Sequence, residues 1–197
     1  MEDPKLGQGK KNAQKHHAWV VFLDESGISQ KPSIRRTWAP RGKTPVVRYP
    51  FNWKKLSICS AIGYRWDGRR CRLYFRIVAG SFTDEKLIEF LRQLRRQFRR
   101  QQLILVWDGL PSHRSHTMSQ YLQSQTQWLT VQRLPSYAPD LNPVESLWGN
   151  IQAKELANRS VDDLGGMVDG VREGFSRIDS QGELLQSFLK HAGLCFD

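Results

Sequence analysis

The hydrophobic residues of this chain gather into short runs that end at acidic side chains. Residues 19–23 are all apolar and are followed directly by Asp24 and Glu25. The same pattern returns at residues 103–107, which are followed by Asp108. A short apolar run bounded by charge is typical of a central strand buried on both faces. The pattern therefore predicts two central strands, each ending at a carboxylate.

A hairpin and an amphipathic helix are predicted between these two strands. Residues 56–66 and 71–78 are rich in β-forming side chains and flank the turn signal Asp67-Gly68, so they should pair antiparallel. Residues 84–98 place apolar side chains three and four positions apart, with basic side chains on the other faces. This spacing predicts a helix with one buried face and a strongly basic exterior.

The second half of the chain alternates helical and extended segments. A helix is predicted from Pro111 to about residue 125, and a strand at residues 128–134. This order of elements predicts a mixed α/β sheet flanked by helices, with antiparallel strands first and parallel strands after them. Three further helices are expected after the turn-rich stretch 135–143, at residues 144–158, 161–176 and 182–192.

Three acids are candidates for one site. If the strands that end at Asp24 and Asp108 are parallel neighbours, both carboxylates emerge at the same sheet edge, where open α/β folds place their sites. Glu145 is the natural third acid, because Pro143 sets the start of its helix and puts Glu145 in the first turn. The alternative for each aspartate is a turn cap, and for the glutamate a partner of the helix dipole.

Carboxylates without histidine or cysteine suit a hard cation such as Mg²⁺ or Mn²⁺. Two such ions can activate a nucleophile and stabilise the leaving oxygen in a displacement at phosphorus. The three acids therefore predict metal-dependent chemistry on a phosphate ester.

Composition narrows the class of partner. The 197 residues suffice for one domain, and a 39% share of hydrophobic residues argues against disorder. The net charge of +11 favours a polyanion, nucleic acid before an acidic membrane surface, although solvated helix faces explain such an excess as well. Three scattered cysteines and the lack of a long apolar run indicate a cytoplasmic protein outside the membrane.

Four segments of the chain together carry a family resemblance: residues 20–26, 37–42, 107–113 and 134–148. The last segment is the longest and the most specific, since it runs through Asn142, Pro143 and Glu145. With these segments the chain resembles, over residues 18–160, the DDE catalytic domain of IS630-type transposases within the Tc1/mariner superfamily.

The resemblance implies an RNase H-like fold and a DNA transposase. In such a domain Asp24, Asp108 and Glu145 would hold two Mg²⁺ ions, with Mn²⁺ as a substitute. Water would cut the inverted-repeat ends of a transposon, and the freed 3′-hydroxyl would attack target DNA, usually at TA. The resemblance also implies double-stranded DNA as the partner, a homodimer in the DNA complex and a location at the bacterial nucleoid. Two alternatives are an RNase H-like endonuclease without strand transfer and a DNA-binding protein that has lost catalysis.

The domain division follows from polarity and from this resemblance. Residues 1–17 are polar and basic and are expected to be a flexible linker, and residues 18–197 the catalytic domain. Such transposases carry paired helix-turn-helix modules for which this chain has no room, so we expect a fragment or the product of a second reading frame. Gly109 stands where these proteins commonly have Asn, and the stretch from Asp108 to Glu145 is slightly longer than usual.

Several residues near the acids are candidates for supporting roles. Alternation along an extended segment points Glu25 to the face opposite Asp24, so direct metal ligation by Glu25 is the less favoured option. His113 is a candidate for a phosphate contact or for orienting Asp108, with a purely structural role as the alternative. Asn142 either hydrogen-bonds near the metal or forms the turn before Pro143.

A basic loop is expected between residues 27 and 55, together with short strands. Its cations are candidates for contacts with DNA or a second subunit, and for each one the alternative is a solvated charge. The candidates are Arg35, Arg36, Arg41, Lys43, Arg48, Lys54 and Lys55.

Overall fold

A five-stranded mixed sheet forms the centre of the molecule. The computed structural model describes residues 12–29, 34–48, 55–135, 138–159 and 164–195. The strands are β1 (Trp19–Ser29), β2 (Lys55–Arg65), β3 (Cys71–Ala79), β4 (Leu103–Trp107) and β5 (Leu129–Arg133). Their order in the sheet is β3-β2-β1-β4-β5; β2 is antiparallel to both β1 and β3, and β4 and β5 run parallel to β1. The predicted mixed sheet is therefore confirmed.

Helices cover both faces of this sheet because β1 alternates its side chains between two cores. The helices are α1 (residues 12–16), α2 (Asp84–Gln97), α3 (His116–Ser124), α4 (Pro143–Lys154), α5 (Leu164–Asp179) and α6 (Gly182–His191). Val20 and Phe22 belong to a core with α4, α5 and α6, whereas Val21 and Leu23 pack with α2 and α3.

Strand β1 is longer than its hydrophobic run predicted. The parallel pairing with β4 ends at Phe22 and Val106, but β1 continues in the antiparallel ladder with β2 as far as Ser29. The expectation that the strand ends at Asp24 was therefore wrong. The backbone of β2 satisfies the hydrogen bonds of β1 beyond the last apolar residue, so polarity alone does not end the strand.

The predicted helix from Pro111 to residue 125 is divided into two. A 3₁₀ helix covers Pro111–Arg114, and α3 begins only after Ser115. The Ser115 Oγ accepts a hydrogen bond of 3.1 Å from the backbone N–H of Met118, which makes Ser115 the N-cap of α3. This cap sets the 3₁₀ turn apart from α3.

The remaining sequence predictions are partly confirmed and partly changed by the structure. The Asp67-Gly68 hairpin is confirmed, with Gly68 at a φ of +67°. The helix expected at 144–158 ends earlier, at Lys154. Residues 34–48 contain no strand, contrary to the expectation of short strands. Within the segment expected to be a flexible linker, residues 12–16 form a helix and Ala13 is fully buried. Residues 1–11 lie outside the described chain.

No helix in the described ranges has the length and apolar character needed to cross a membrane.

Candidate active site

Asp24 and Asp108 stand on neighbouring parallel strands. The register pairs Phe22 with Val106, and each acid follows two residues later: Asp24 within β1, and Asp108 directly after the last residue of β4. The predicted parallel arrangement of these two strands is confirmed. The chain direction thus brings both carboxylates to one edge of the sheet, beyond the last pair of the parallel ladder.

Glu145 reaches the same edge from the first turn of α4. Asn142 caps this helix, since its Oδ1 accepts a 3.2 Å hydrogen bond from the backbone N–H of Val144. Pro143 occupies the first helical position, where a missing N–H costs nothing. Asp24, Asp108 and Glu145 together line one open cleft of about 380 Å³.

One oxygen of Asp24 is held by a tryptophan. The indole Nε1–H of Trp148 donates a 2.9 Å hydrogen bond to Asp24 Oδ2. Trp148 is buried and lies one helical turn after Glu145 on α4. No donor to the second oxygen, Oδ1, is recorded in the described part of the chain. The hydrogen bond to Oδ2 therefore orients Asp24, and Oδ1 remains open to another ligand.

Asp108 is held in a similar way by donors that follow it in the chain. Its Oδ1 accepts from the backbone N–H of Leu110 at 3.1 Å and contacts His113 Nδ1 at 2.8 Å. The other ring nitrogen of His113, Nε2, lies 3.2 Å from Glu25 Oε1. The imidazole is 1% exposed and stacks on Trp107 at 4.0 Å between ring centroids. His113 thus links two carboxylates across the sheet edge.

Burial and neighbouring negative charges raise the pKa values of Asp24 and Glu145. Burial, and then the charges of Glu145, Glu25 and Asp108, raise the pKa of Asp24 to about 7, although the Trp148 hydrogen bond lowers it. Burial, with Asp108 and Asp140 nearby, raises the pKa of Glu145. The charges of neighbouring acids thus contribute to the raised pKa values of both Asp24 and Glu145.

Burial alone would lower the pKa of His113. The hydrogen bond and charge of Glu25, together with Asp108, outweigh burial and raise the His113 pKa above its usual value. The imidazolium that this shift favours donates from both ring nitrogens.

The donor set of the cleft fits a hard divalent cation. All three candidate ligands are carboxylates, and each aspartate has one oxygen with no donor among the described residues. Within the described ranges, no three acidic, histidine or cysteine side chains are arranged closely enough to hold an ion as they stand. Burial is the main cause of the raised pKa values of Asp24 and Glu145, and repulsion from the neighbouring carboxylates, in the absence of a cation, adds to it.

The structure gives the positions of three residues for which supporting roles are predicted. Glu25 contacts His113, which stacks on Trp107 in the core with α2 and α3, whereas Asp24 contacts Trp148 in the core with α4, so the two acids face opposite sides of the sheet. Asn142 is a helix cap that also lines the cleft. Because His113 is buried, its position favours the orienting role over a DNA contact.

The described part of the basic loop exposes its side chains to solvent. In residues 34–48 nearly every side chain is exposed, and Trp38 is 98% exposed. The backbone N–H of Arg35 donates to Asn158 Oδ1 at 2.9 Å, which ties the loop to the segment after α4. The exposed candidate cations are Arg35, Arg36, Arg41, Lys43 and Arg48. Lys54 and the side chain of Lys55 lie outside the described residues.

Three residues in or beside the cleft were not predicted from the sequence. Trp148 holds Asp24, Asp140 adds charge near Glu145, and Arg114 lines the cleft. The spacing of Trp148, three residues after Glu145, was the available signal, since such residues share a helix face. Arg114 had no comparable signal, because its position depends on the break at Ser115.

Comparison with known families gives one clear match. The model of the DDE superfamily endonuclease family matches residues 19–167, a range that includes Asp24, Asp108 and Glu145. None of the curated proteins compared with the chain matches it.

Solved structures of the Mos1 transposase share the fold. The Mos1 strand transfer complex gives a TM-score of 0.63 at 19% identity, over 95% of this chain and 57% of that chain. The Mos1 mariner paired end complex with Mg gives 0.62 at 17% identity, over 98% and 61%. The catalytic domain of Mos1 mariner transposase gives 0.52 at 16% identity, over 100% and 98%. This chain thus spans about three fifths of the length of the Mos1 chains in the two complexes, and nearly all of the catalytic domain.

Proposed function

The chain belongs to the DDE superfamily endonuclease family, and from that premise we propose that it is the catalytic domain of a DNA transposase. The observation that carries the proposal is the single cleft lined by Asp24, Asp108 and Glu145, inside the region that the family model matches. The fold shared with the Mos1 catalytic domain supports it.

Asp24, Asp108 and Glu145 are the residues that would hold two Mg²⁺ ions, or Mn²⁺ in their place. When bound, the ions supply activation of the attacking hydroxyl and stabilisation of the leaving oxygen. The protein's own part is to orient the ligands: Trp148 holds Asp24, and His113 with the Leu110 N–H holds Asp108. A Mos1 paired end complex with Mg is the related case that supports this cofactor.

The proposed reaction has two steps at phosphorus. Water attacks a phosphodiester at the transposon end, the bond to the 3′-oxygen breaks, and the products are a 3′-hydroxyl and a 5′-phosphate. The 3′-hydroxyl then attacks a phosphodiester of the target, joins to its 5′-phosphate and releases a target 3′-hydroxyl. No covalent link to the protein is formed in either step.

The finer assignments rest on the residues that resemble the family. We assign the chain to the IS630 type within the Tc1/mariner superfamily, with TA as target and a homodimer holding two DNA ends. The related Mos1 strand transfer complex supports a DNA partner. Residues 18–197 would be the catalytic domain, acting at the nucleoid, and residues 1–17 would connect it to a DNA-reading module.

Nicking of DNA that carries the element's ends tests the proposal. Wild-type protein with Mg²⁺ or Mn²⁺ should cut this DNA. Asp24→Asn, Asp108→Asn and Glu145→Gln preserve side-chain shape and should lower the rate by roughly 100-fold or more. Asp169→Asn is the matched control, because Asp169 is an exposed acid on α5 away from the cleft. Equal activity of the wild type and all three cleft variants would refute the assignment of the acids.

Joined products separate transposition from plain hydrolysis. A duplex with a pre-cut 3′-hydroxyl end, incubated with a plasmid that contains TA sites, should become covalently attached to the plasmid. Cutting without joining would favour the endonuclease without strand transfer. DNA binding without metal-dependent cutting, even after an N-terminal DNA-binding module is supplied, would favour the protein that has lost catalysis.

A further inference from the structure

An arginine without an anionic partner stands at the edge of the acidic cleft. Arg114 is the last residue of the 3₁₀ helix Pro111–Arg114 and lines the cleft together with the three acids. Its side chain is exposed. Among the described residues, no carboxylate forms an ion pair with it within 4.0 Å, although other arginines of the chain form such pairs. Its guanidinium is therefore available to an anion that enters the cleft.

Gly109 provides the space that this guanidinium occupies. A Cβ atom built on Gly109 would overlap Arg114 Nη2 and would lie 3.3 Å from Cζ and 3.4 Å from Nε. Three guanidinium atoms, Nη2, Cζ and Nε, thus lie against the residue that follows Asp108. The absence of a side chain at position 109 leaves this space to Arg114.

The turn that carries Arg114 is fixed by its neighbours. His113 is buried between Trp107, Asp108 and Glu25, and the cap at Ser115 ends the turn on the other side. The backbone on both sides of Arg114 is therefore held, while the side chain reaches over the cleft.

We propose that Arg114 binds a phosphate group of the DNA strand that enters the cleft, in a position that Gly109 keeps open. This inference rests on the proposed function, since DNA is the substrate of that site. A guanidinium presents a planar fork of N–H donors that matches two phosphate oxygens, which an ammonium cannot reproduce. The three acids leave the phosphate itself without a protein cation, and Arg114 supplies one.

Binding measured without cleavage tests the contact directly. A short fluorescent duplex is titrated in Ca²⁺ at several salt concentrations, with wild type, Arg114→Ala, Arg114→Lys and Arg172→Ala. Arg114→Ala should weaken binding by about tenfold and reduce the slope of log affinity against log salt by about 0.9. Arg114→Lys should restore the slope but only part of the affinity. Arg172 is the matched control, because it is an exposed arginine on α5 outside the cleft.

A double-mutant cycle tests the role of Gly109. Gly109→Ala keeps the charge of Arg114 but displaces its guanidinium, so it should weaken binding several-fold alone and have no further effect in Arg114→Ala. Thermal melting confirms that each variant is folded.

Two results would overturn the inference. One is an Arg114→Ala protein that matches Arg172→Ala in affinity and salt slope. The other is an equal loss from Gly109→Ala in both backgrounds. Neither result depends on cleavage. If the wild type fails to cut DNA even with an N-terminal DNA-binding module supplied, while the salt slope of Arg114→Ala is reduced by about 0.9, the proposed function fails and the phosphate contact stands.

Discussion

At the scale of single residues, hydrogen-bond donors decide which carboxylate oxygens remain open. Trp148 engages one oxygen of Asp24, and the Leu110 N–H with His113 engages one oxygen of Asp108. Each aspartate is thereby turned so that its other oxygen has no described donor. Orientation of this kind lowers the cost of bringing like charges around a cation, because the side chains need not be ordered when the ion binds.

Trp148→Phe should shift the pH dependence of cleavage. The phenyl ring keeps most of the packing but removes the donor that lowers the Asp24 pKa, so that pKa should rise above about 7. Half-maximal cleavage should then require a higher pH, with a several-fold loss of rate at neutral pH that recovers in alkaline buffer. A pH–rate profile measures the shift. Trp128→Phe, which loses a comparable bond to Gln125 outside the cleft, is the control. A profile that coincides with the wild type would contradict the role of Trp148.

His113→Ala should weaken both the fold and the site. The substitution removes a buried ring that stacks on Trp107 and leaves Glu25 and Asp108 without their shared partner. The expected loss is about 2 to 3 kcal/mol in the free energy of unfolding. Urea denaturation measures it, and His116→Ala, an exposed neighbour at the start of α3, should change little. Equal stability of the two variants would show that the bridge is not important for folding.

At the scale of elements, the hydrophobic pattern predicts the strands and the direction in which each one runs, and only the parts of the site that depend on these could be predicted. Two apolar runs followed by acids predicted that Asp24 and Asp108 would emerge at one sheet edge if their strands were parallel neighbours, and the register shows that these strands are parallel neighbours. The break at Ser115 was not visible in that pattern, since one hydroxyl bonded to a backbone N–H divides a segment of uniform polarity. The contacts of Trp148 and Arg114 were missed for a related reason. Trp148 contacts Asp24, which is far away in the sequence, and the position of Arg114 depends on the 3₁₀ turn that ends before Ser115.

Asn142→Ala should destabilise α4, the helix that supplies both Glu145 and Trp148. Loss of the cap at the Val144 N–H is expected to cost about 1 kcal/mol in the free energy of unfolding. Cleavage should fall as well, because the first turn of α4 positions Glu145. Asn142→Ser retains a capping oxygen and should recover most of the stability. Chemical denaturation and nicking assays compare the two variants, and an equally stable pair would exclude the capping role.

At the scale of the whole molecule, the net charge of +11 coexists with an acidic cleft at one sheet edge. The positive charge is spread over the exposed loop and the outer faces of the helices, where, under the proposed function, it would attract DNA without reading its sequence. The acids converge only because the sheet order puts β4 beside β1 and packs α4 against β1. A cleft of like charges in a stable fold implies that folding and cation binding are linked.

The metal-free protein should therefore lose stability as the pH rises. The Asp24 pKa is raised from 3.8 to about 7, so the folded state binds this proton more tightly than the unfolded state. The resulting stabilisation is complete below pH 3.8 and disappears as the pH passes about 7, which amounts to about 2 to 3 kcal/mol between about pH 5 and pH 8. The raised pKa values of Glu145 and His113 act in the same direction. Melting temperatures in EDTA should fall across this range, and Asp24→Asn should reduce the fall whereas Asp169→Asn should not.

Added Mg²⁺ completes the test, because a cation restores what deprotonation removes. Mg²⁺ should raise the melting temperature of the wild type by several degrees at about pH 8 and much less at about pH 5, where Asp24 is protonated and binds metal poorly. In Asp24→Asn the Mg²⁺ effect should be small at both pH values. A melting temperature that ignores Mg²⁺ at alkaline pH, or one that rises equally in Asp24→Asn, would show that the repulsion among these carboxylates is not what a bound cation relieves.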